Sequence, residues 1–594
     1  MVTCHMSTSH ILEIQNSGRG VSARSPTMAQ PAVLERILNI NVGILGHVDS
    51  GKTTLAKALS TMASTAAFDK HPQSKARGIT LDLGFSAFFT DMPDQVKVAQ
   101  LNHMENVVID VDLFSDAAYD KLQITLVDCP GHASLVKTII GGAQIIDLML
   151  LVIDATKGVQ TQTAECLVIG EITTEKMIVV LNKIDLYPEN ARNIKIKEMI
   201  TGLRKTLSKT KFRDAPIVPI SANIGAADII SNPLLTPKVE NIDDLIRTLR
   251  ETIRVPERTS SGNFLFAVDH CFAIQGQGTV MTGTVLNGGV AIGNIIEISN
   301  MAKKKVKSMQ MFRKPVQKAS QGDRVGICVT QFDSNTFERG LAFAPGTVSV
   351  LHAAIASATK VRFFKEACTS KSKLHVTVGH HTVMATVTFF SAQKPSPDQT
   401  NRVPGDFDLT IPYEYQLELS DTSQWALLEF ETPVECPNNA LVIGSKLDMD
   451  IHANVCRIAF HGTVQHPMTS KRYREEDLCK LRVFKWKKRV GAVDRLVDER
   501  TIIGKNLFKK DTNIENFLRM EITLSTGPIG RIESSFGKSG KFKAYFPSGV
   551  GDEVMNLYGT KKGANKELSG IGPVELVLKF KRFVYDKQKK MVQD

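Results

Sequence analysis

No run of about 18 apolar residues occurs anywhere in the 594-residue chain, so no segment is long and apolar enough to cross a membrane as a helix. No Cys-x-x-Cys pair exists either. The nine cysteines, an odd number, are scattered from Cys4 to Cys479, which argues against a disulfide framework or a zinc site and for a reducing compartment. Nothing repeats at a solenoid period. Residues 1–36 lack apolar periodicity and, up to Glu35, carry a single acid, Glu13; they read as a disordered tail. Arg19 and Arg24 are thin support for a mitochondrial transit peptide, and initiation at Met28 fits as well. The expected location is cytoplasmic, with a nuclear pool left open.

The first 470 residues also lack net charge. Residues 471–594 hold 28 Lys+Arg against 16 Asp+Glu, whereas the rest of the chain holds 45 of each sign, so the whole formal excess of +12 lies in the last fifth. A neutral body with one basic module suggests a dedicated nucleic-acid contact in that module.

The length predicts about four domains. From residue 38 to about 253, short apolar runs (38–45, 122–127, 146–153, 177–181 and 217–220) alternate with helical patterns, as in a mostly parallel sheet covered by helices. The stretch from 86 to 121 breaks this rhythm and reads as an inserted loop or hairpin. Past Val255-Pro256 the texture becomes short β-branched segments punctuated by Gly and Asn, most simply barrels. The expected fold is therefore multidomain. A tail (1–36) precedes an α/β domain (37–255), two β-barrels (256–349 and 350–469) and a C-terminal basic β-rich domain (470–594). A polar loop at 393–405 interrupts the second barrel.

Gly46-His47-Val48-Asp49-Ser50-Gly51-Lys52-Thr53 matches G-x-x-x-x-G-K-[ST] between a strand and a helical run at 54–62 that opens on Thr54. Backbone N–H groups of such a loop surround phosphates, Lys52 brings charge to the β/γ-phosphates, and the Thr53 hydroxyl can ligate Mg²⁺. Asp128-Cys129-Pro130-Gly131-His132 follows the strand at 122–127. Asp128 can hold Mg²⁺ through a water, the Gly131 N–H can sense a γ-phosphate, and His132 stands where Ras carries the glutamine that orients the attacking water. Asn182-Lys183-Ile184-Asp185 follows the strand at 177–181. Asp185 can accept from N1–H and the exocyclic amine of guanine, which adenine cannot offer; Asn182 would brace the loop and the Lys183 stem would lie on the ring. Ser221-Ala222 follows the strand at 217–220, where a backbone N–H could reach guanine O6. The phosphate-loop pattern alone leaves a chance match or an ATPase open, and the Asn-Lys-x-Asp tetrapeptide alone would more often be a solvated turn. Its position at the carboxyl end of a strand, in correct order, reverses those odds, because open α/β sheets bind ligands there. GTP or GDP with Mg²⁺ is the expected ligand, and residues 37–255 are the expected α/β P-loop GTPase domain.

Gly-His-Val-Asp-x-Gly-Lys-Thr, Asp-Cys-Pro-Gly-His and Arg77-Gly78-Ile79-Thr80 together resemble the translational GTPases. That resemblance implies that Thr80 closes over Mg²⁺ and γ-phosphate, that Val48 and Ile79 form an apolar gate, and that His132 is catalytic. Gly276-Gln277-Gly278-Thr279 and Gly283-Thr284-Val285 resemble the second domain of elongation factor Tu. Three further features narrow the family: the segment from Thr65 to Ser74 leading into Arg77–Phe85, a whole β-domain after the two barrels, and the charge it carries. Together these look like the eukaryotic selenocysteine-specific elongation factors, over about residues 40–592. Ser50 departs from the histidine of bacterial relatives and agrees with the eukaryotic form.

That family implies a pocket for selenocysteine built from Phe85, Asp269, His270 and Arg324. A selenol is more acidic than a thiol, whose pKa is about 8.5, so a pocket selecting it should offer fixed positive charge. The alternative is an ordinary exposed ion pair on two strands. Implied partners are selenocysteinyl-tRNA, the ribosome, and the selenocysteine-insertion RNA element with its binding protein; a monomer is expected. In the last domain Lys485, Trp486, Lys487, Lys488 and Arg489 interleave base and aromatic, suited to phosphates and unpaired bases, or equally to a half-buried strand with a solvated lysine face. The hairpin-like stretch 530–546 points to RNA too. Competing readings are an ordinary elongator or initiator-tRNA carrier, and a regulatory GTPase that binds protein effectors.

Overall fold

The computed structural model describes residues 37–60, 62–63, 83–93, 119, 121–132, 136–222, 239–256, 258, 261–392, 407–450, 455–537, 539–559, 574–586 and 591–593. The tail, Ile79, Thr80, most of the insert before Lys121 and the loop 393–405 lie outside them.

The α/β domain is one sheet in the order β2 (Met62–Ala63), β3 (Gly84–Thr90), β4 (Lys121–Asp128), β1 (Ile37–Gly46), β5 (Leu148–Asp154), β6 (Lys176–Asn182) and β7 (Ile217–Pro219). Strands β4, β1, β5, β6 and β7 run parallel, and β3 lies antiparallel to β4. Its helices are α1 (Lys52–Leu59), α2 (Val136–Ala143), α3 (Thr161–Thr173), α4 (Arg192–Leu207) and α5 (Ile242–Thr252). Two expectations need correcting. The first helix starts at Lys52 and stops at Ser60, whose N–H bonds back to the Lys57 carbonyl, rather than running to 62. The break in rhythm also starts later than 86, because β3 continues to Thr90 in register with β4.

The two faces of this sheet differ, and the pleat explains why. Leu38, Ile40, Val42 and Ile44 of β1, with Leu122, Ile124 and Leu126 of β4, point to one face and pack with Leu55 and Leu59 of α1. The register sets Asn39 beside Gln123 and Asn41 beside Thr125 on the other face, with Ala87 beside Thr125 and Phe89 beside Gln123. At this edge the first barrel meets the face, through Gly322 and Arg324, whereas α2 and α3 pack with its Leu45, Met149 and Leu151.

That barrel closes through Ile295–Ile298, Gly340–Phe343, Leu265–Ile274, Gly278–Asn287, Arg324–Val329 and Ala302–Met311, the last pairing back with the first. The second closes through Ser349–Lys360, Gln424–Cys436, His381–Ala392, Ser372–Val378, Leu441–Ser445 and Ile458–Met468. The basic domain is a third closed barrel, built on the long strand Val483–Asp498 and its partner Glu575–Phe583. A parallel bridge of Tyr413–Tyr415 to Val483 and Phe484 joins the last two barrels in one sheet, sealed by an apolar cluster of Phe390, Tyr413, Trp425, Leu481 and Val483.

The second barrel meets the GTPase domain at a buried ion pair. Glu165 of α3 accepts from Arg457 Nε at 2.8 Å and Nη2 at 2.7 Å, with the two side chains 3% and 4% exposed. Removing one member leaves the other charge buried without its counter-ion, at a cost of about 3–5 kcal/mol, whereas replacing both by apolar residues is often neutral. Arg457→Met is therefore expected to lower the denaturant midpoint of the barrel–GTPase interface clearly, and the double change Glu165→Leu with Arg457→Met to restore most of it. A double variant no more stable than Arg457→Met would show that the pair does not carry this interface.

Candidate functional site

At the carboxyl end of β1 the chain turns through Gly46, Asp49 (φ 60) and Gly51 (φ 92) into α1. Gly51 has no room for a side chain: a Cβ there would lie 2.2 Å from Asn182 Nδ2. Lys52 is buried and its Nζ donates to the His47 carbonyl at 2.6 Å. Burial pulls its pKa below the usual lysine value, partly offset by Asp128. A cation in that condition is set up for an anionic ligand among the loop N–H groups. Ser50 Oγ is buried with no partner among the described residues, and Thr54 is exposed on α1.

Thr53 Oγ1 donates to Asp128 Oδ2 at 2.6 Å. Two hard oxygen donors at one spot beside a phosphate loop suit Mg²⁺. Gly131 packs against Val48 and Lys52 so closely that a Cβ would meet Lys52 Nζ at 2.2 Å, which places the following residue, His132, half-buried beside the loop. The Val48 N–H donates to Gln162 Oε1 of α3 at 3.3 Å. Thr80 and Ile79, assigned to metal and gate, lie outside the described residues.

The base-reading residues also converge. Asn182 Nδ2 donates to the Ser50 carbonyl at 2.9 Å, and its Oδ1 accepts from the Ala222 N–H at 3.1 Å, so one side chain ties three loops together. Ser221 Oγ donates to Asp185 Oδ1 at 2.7 Å. Lys183 takes a left-handed backbone (φ 66), and its ammonium meets Asp154 Oδ2 at 2.9 Å, holding the stem across the opening. Burial alone would raise the Asp154 carboxyl, but hydrogen bonds from Thr156 and Lys183 outweigh it and leave the pKa low. The sequence reading missed Asp154 and Gln162, which stand outside every recognised motif.

The second cluster lies on the seam between GTPase domain and first barrel. Arg324 Nη1 donates to Asp269 Oδ2 at 2.5 Å, with side chains 5% and 12% exposed. The guanidinium carbon is 3.1 Å from the centre of the Phe85 ring. The exposed-pair alternative is corrected here: the pair is buried because Phe85 of β3 caps it from the GTPase domain. His270, half-buried, follows a bulge on the same strand as Asp269. Beside Arg324 a cavity of about 130 Å³ is walled by Phe272, Ile274, Val280 and Phe312, with Gln310 and Arg313 among its polar groups.

In the third barrel the pleat divides the five basic and aromatic residues. Trp486 lies opposite Lys581, and Lys488 opposite Lys579, on one face. The Lys579 ammonium stands 4.6 Å from the Trp486 ring and Lys488 is exposed. On the other face Lys485 lies 3.4 Å over Tyr415, and Arg489 sits over Phe508, Phe517 and Phe580. Those two cations serve packing, while Lys487 is exposed. The hairpin at 530–546 also differs from expectation. Its cations are compensated, Arg531 by Glu521, Lys541 by Asp494 and Lys543 by Glu533; Lys538 lies outside the described residues. By contrast, Lys487, Lys488 and Lys579 form no ion pair among the described residues. Lys579 was missed; it is exposed, whereas Lys581, two residues on, is buried with its ammonium over Phe484 and Trp486.

Comparison with known proteins accords with this geometry. Residues 38–255 match the model of the elongation factor Tu GTP binding domain, and 278–343 that of elongation factor Tu domain 2. Residues 355–462 match the third domain of eukaryotic selenocysteine-specific elongation factor, and 479–589 the eEFSec C-terminal RIFT domain. The chain is 48% identical to the selenocysteine-specific elongation factor of Mus musculus over 603 residues, covering 94% of this chain and 99% of that protein. It is 35% identical to that of Methanocaldococcus jannaschii over 360 residues, 60% of this chain and 67% of the relative. The crystal structure of translation elongation factor SelB from Methanococcus maripaludis with the GTP analogue GppNHp is similar with a TM-score of 0.62 at 25% identity, covering 92% and 99% of the two chains. This chain belongs to the selenocysteine-specific elongation factors and is a translational GTPase.

Proposed function

We propose that this elongation factor carries selenocysteinyl-tRNA in its GTP form, delivers it to the ribosome at recoded UGA codons, and hydrolyses GTP there. The observation that carries the cargo reading is the buried Arg324–Asp269 pair capped by Phe85, a cation beside a polarisable ring at the seam of two domains. The neighbouring cavity, with aromatic and aliphatic walls, suits a nucleobase of the aminoacyl end. Where the GTPase domain meets both barrels, a cavity of about 300 Å³ has Lys137, Arg339 and His381 in its wall, placed for tRNA phosphates.

In the nucleotide site Lys52 and the loop N–H groups hold phosphate, Asn182 fixes the loops that Asp185 and Ala222 need to read guanine, and Thr53 and Asp128 would hold Mg²⁺. The metal when bound neutralises phosphate charge. His132 orients the attacking water, and the apolar Val48 keeps it from doing so until the ribosome is engaged. His132→Ala is expected to leave GTP affinity intact and to cut ribosome-stimulated hydrolysis by ~10²–10⁴-fold, the size of a lost positioning group; unchanged single-turnover hydrolysis on ribosomes would exclude the role.

For the cargo, Arg324→Ala is expected to weaken selenocysteinyl-tRNA more than seryl-tRNA in an ester-protection assay, because only the former presents an anion. Equal losses would mean that Arg324 holds the shared tRNA end instead.

The third barrel, in the same reading, binds the selenocysteine-insertion RNA element together with its binding protein. The uncompensated lysines should dominate the contact. Lys488→Ala with Lys579→Ala is expected to flatten the dependence of RNA affinity on salt, since fewer phosphates are neutralised. Trp486→Ala should weaken binding with little change in that slope. If the hairpin changes Lys541→Ala and Lys543→Ala flatten the slope instead, the face has been misassigned.

A further inference from the structure

Asn39 and Asn41 are 1% and 2% exposed in the central strand of the sheet, a costly place for amides unless every polar atom is used. Both amide nitrogens point at one acceptor outside their own domain. Asn39 Nδ2 donates to the Gly322 carbonyl at 2.8 Å and Asn41 Nδ2 to the same oxygen at 2.9 Å. Their oxygens are used within the GTPase domain. Asn39 Oδ1 accepts from Thr125 Oγ1 at 2.6 Å and Gln123 Nε2 at 3.1 Å, and Asn41 Oδ1 accepts from Asn39 at 3.1 Å. This is a preset fork with one vacancy, and the first barrel fills it.

Gly322 is two residues before Arg324, in a turn held by its own bonds: Gly322 N–H to the Val285 carbonyl, and Ser320 N–H and Oγ to Asp323 Oδ2. The turn is clamped from its far side as well. Gly322 has φ +88, and a Cβ on it would lie 2.1 Å from the Arg258 guanidinium carbon. Arg258 Nη2 bonds Asp147 Oδ2 at 2.8 Å, and the same oxygen accepts from the Asn41 N–H at 2.8 Å. The turn is thus gripped between the Asn39–Asn41 fork and the Arg258–Asp147 pair, and Arg324 emerges from it directly onto Phe85 of the same sheet face.

We propose that Asn39, Asn41, Arg258 and Gly322 are positioning residues for cargo selection: they fix the Arg324 turn on the GTPase sheet, so that the guanidinium meets both Asp269 and Phe85 at the distance that discriminates an anionic side chain. This rests on the cargo reading above. The test compares Asn41→Leu, Gly322→Ala and Arg324→Ala with the parent full-length protein. For each, GTP affinity and the ratio of affinities for selenocysteinyl-tRNA and seryl-tRNA are measured. Asn41→Leu keeps the backbone bond to Asp147 and removes one arm of the fork; Gly322→Ala forces the turn off Arg258.

The expected result is GTP affinity as in the parent, with the selenocysteinyl/seryl ratio reduced about tenfold in both variants, the scale of one or two lost buried hydrogen bonds, and reduced further in Arg324→Ala. A lower ratio in Arg324→Ala alone overturns the positioning role and leaves the cargo reading standing. An unchanged ratio in Arg324→Ala overturns the cargo reading, and the positioning role with it. Equal weakening for both tRNAs in Asn41→Leu and Gly322→Ala would mean a merely structural grip, which also overturns the proposal. If Asn41→Leu does not fold, Arg258→Lys, which keeps its charge for Asp147 but lacks the planar clamp, carries the same comparison.

Discussion

Two buried amides on one carbonyl, Asn39 and Asn41 on Gly322, decide how the first barrel sits on the GTPase sheet. In a doubly wound sheet both faces are usually apolar and covered by helices. Here the α1 face obeys that rule, and so does most of the opposite face, where α3 packs with Leu45, Met149 and Leu151. The exception is the polar ladder of Asn39, Asn41, Gln123 and Thr125, which a helix backbone, already hydrogen-bonded along its length, could not satisfy. A barrel turn with an unused carbonyl satisfies it. The polar ladder therefore specifies which element docks, and it does so laterally to the phosphate loop at the end of the same β1 strand.

That arrangement gives the two sites a common frame. The phosphate loop and the Asn39–Asn41 fork are both on β1, and Phe85, opposite Val127, lies one residue along the ladder from the Asp128 end of β4. Helix α3, on the same sheet face as the fork, repeats the pattern: Gln162 accepts from Val48 in the phosphate loop, and Glu165, three residues on and so on the same face of the helix, grips Arg457 of the second barrel. Each barrel is tied to the GTPase domain through an element that also touches the nucleotide loop.

Much of this was legible in the sequence because phosphate and base recognition need fixed residue types at fixed spacings. Lys52, Thr53, Asp128, Asn182 and Asp185 could be placed from their motifs, and the alternation of apolar runs gave the sheet. What stayed hidden is long-range pairing. Glu165 and Arg457 are 292 residues apart, and Asn39 and Asn41 went unremarked inside the apolar run 38–45; two asparagines at i and i+2 in a buried strand were the available signal, since the pleat puts both on one face. The extent of the first helix was misjudged because Met62 continues its apolar spacing, while Ser60 ends it.

Charge taught the opposite lesson about counting. The net excess lies in residues 471–594, yet net charge says nothing of which cations are already used. In the third barrel, acidic neighbours in and around the hairpin neutralise Arg531, Lys541 and Lys543, whereas the paired segments 484–491 and 576–583 contain basic residues and no acid at all. Pleating then sorts those: Arg489 and Lys485 turn inward onto aromatic rings, and Lys488 and Lys579 face water beside Trp486. A surface ion pair in water is worth little to the fold, but it is decisive for binding, because a lysine already neutralised by a neighbour has less to offer a phosphate. The surface available to a polyanion is therefore set by sheet register more than by composition.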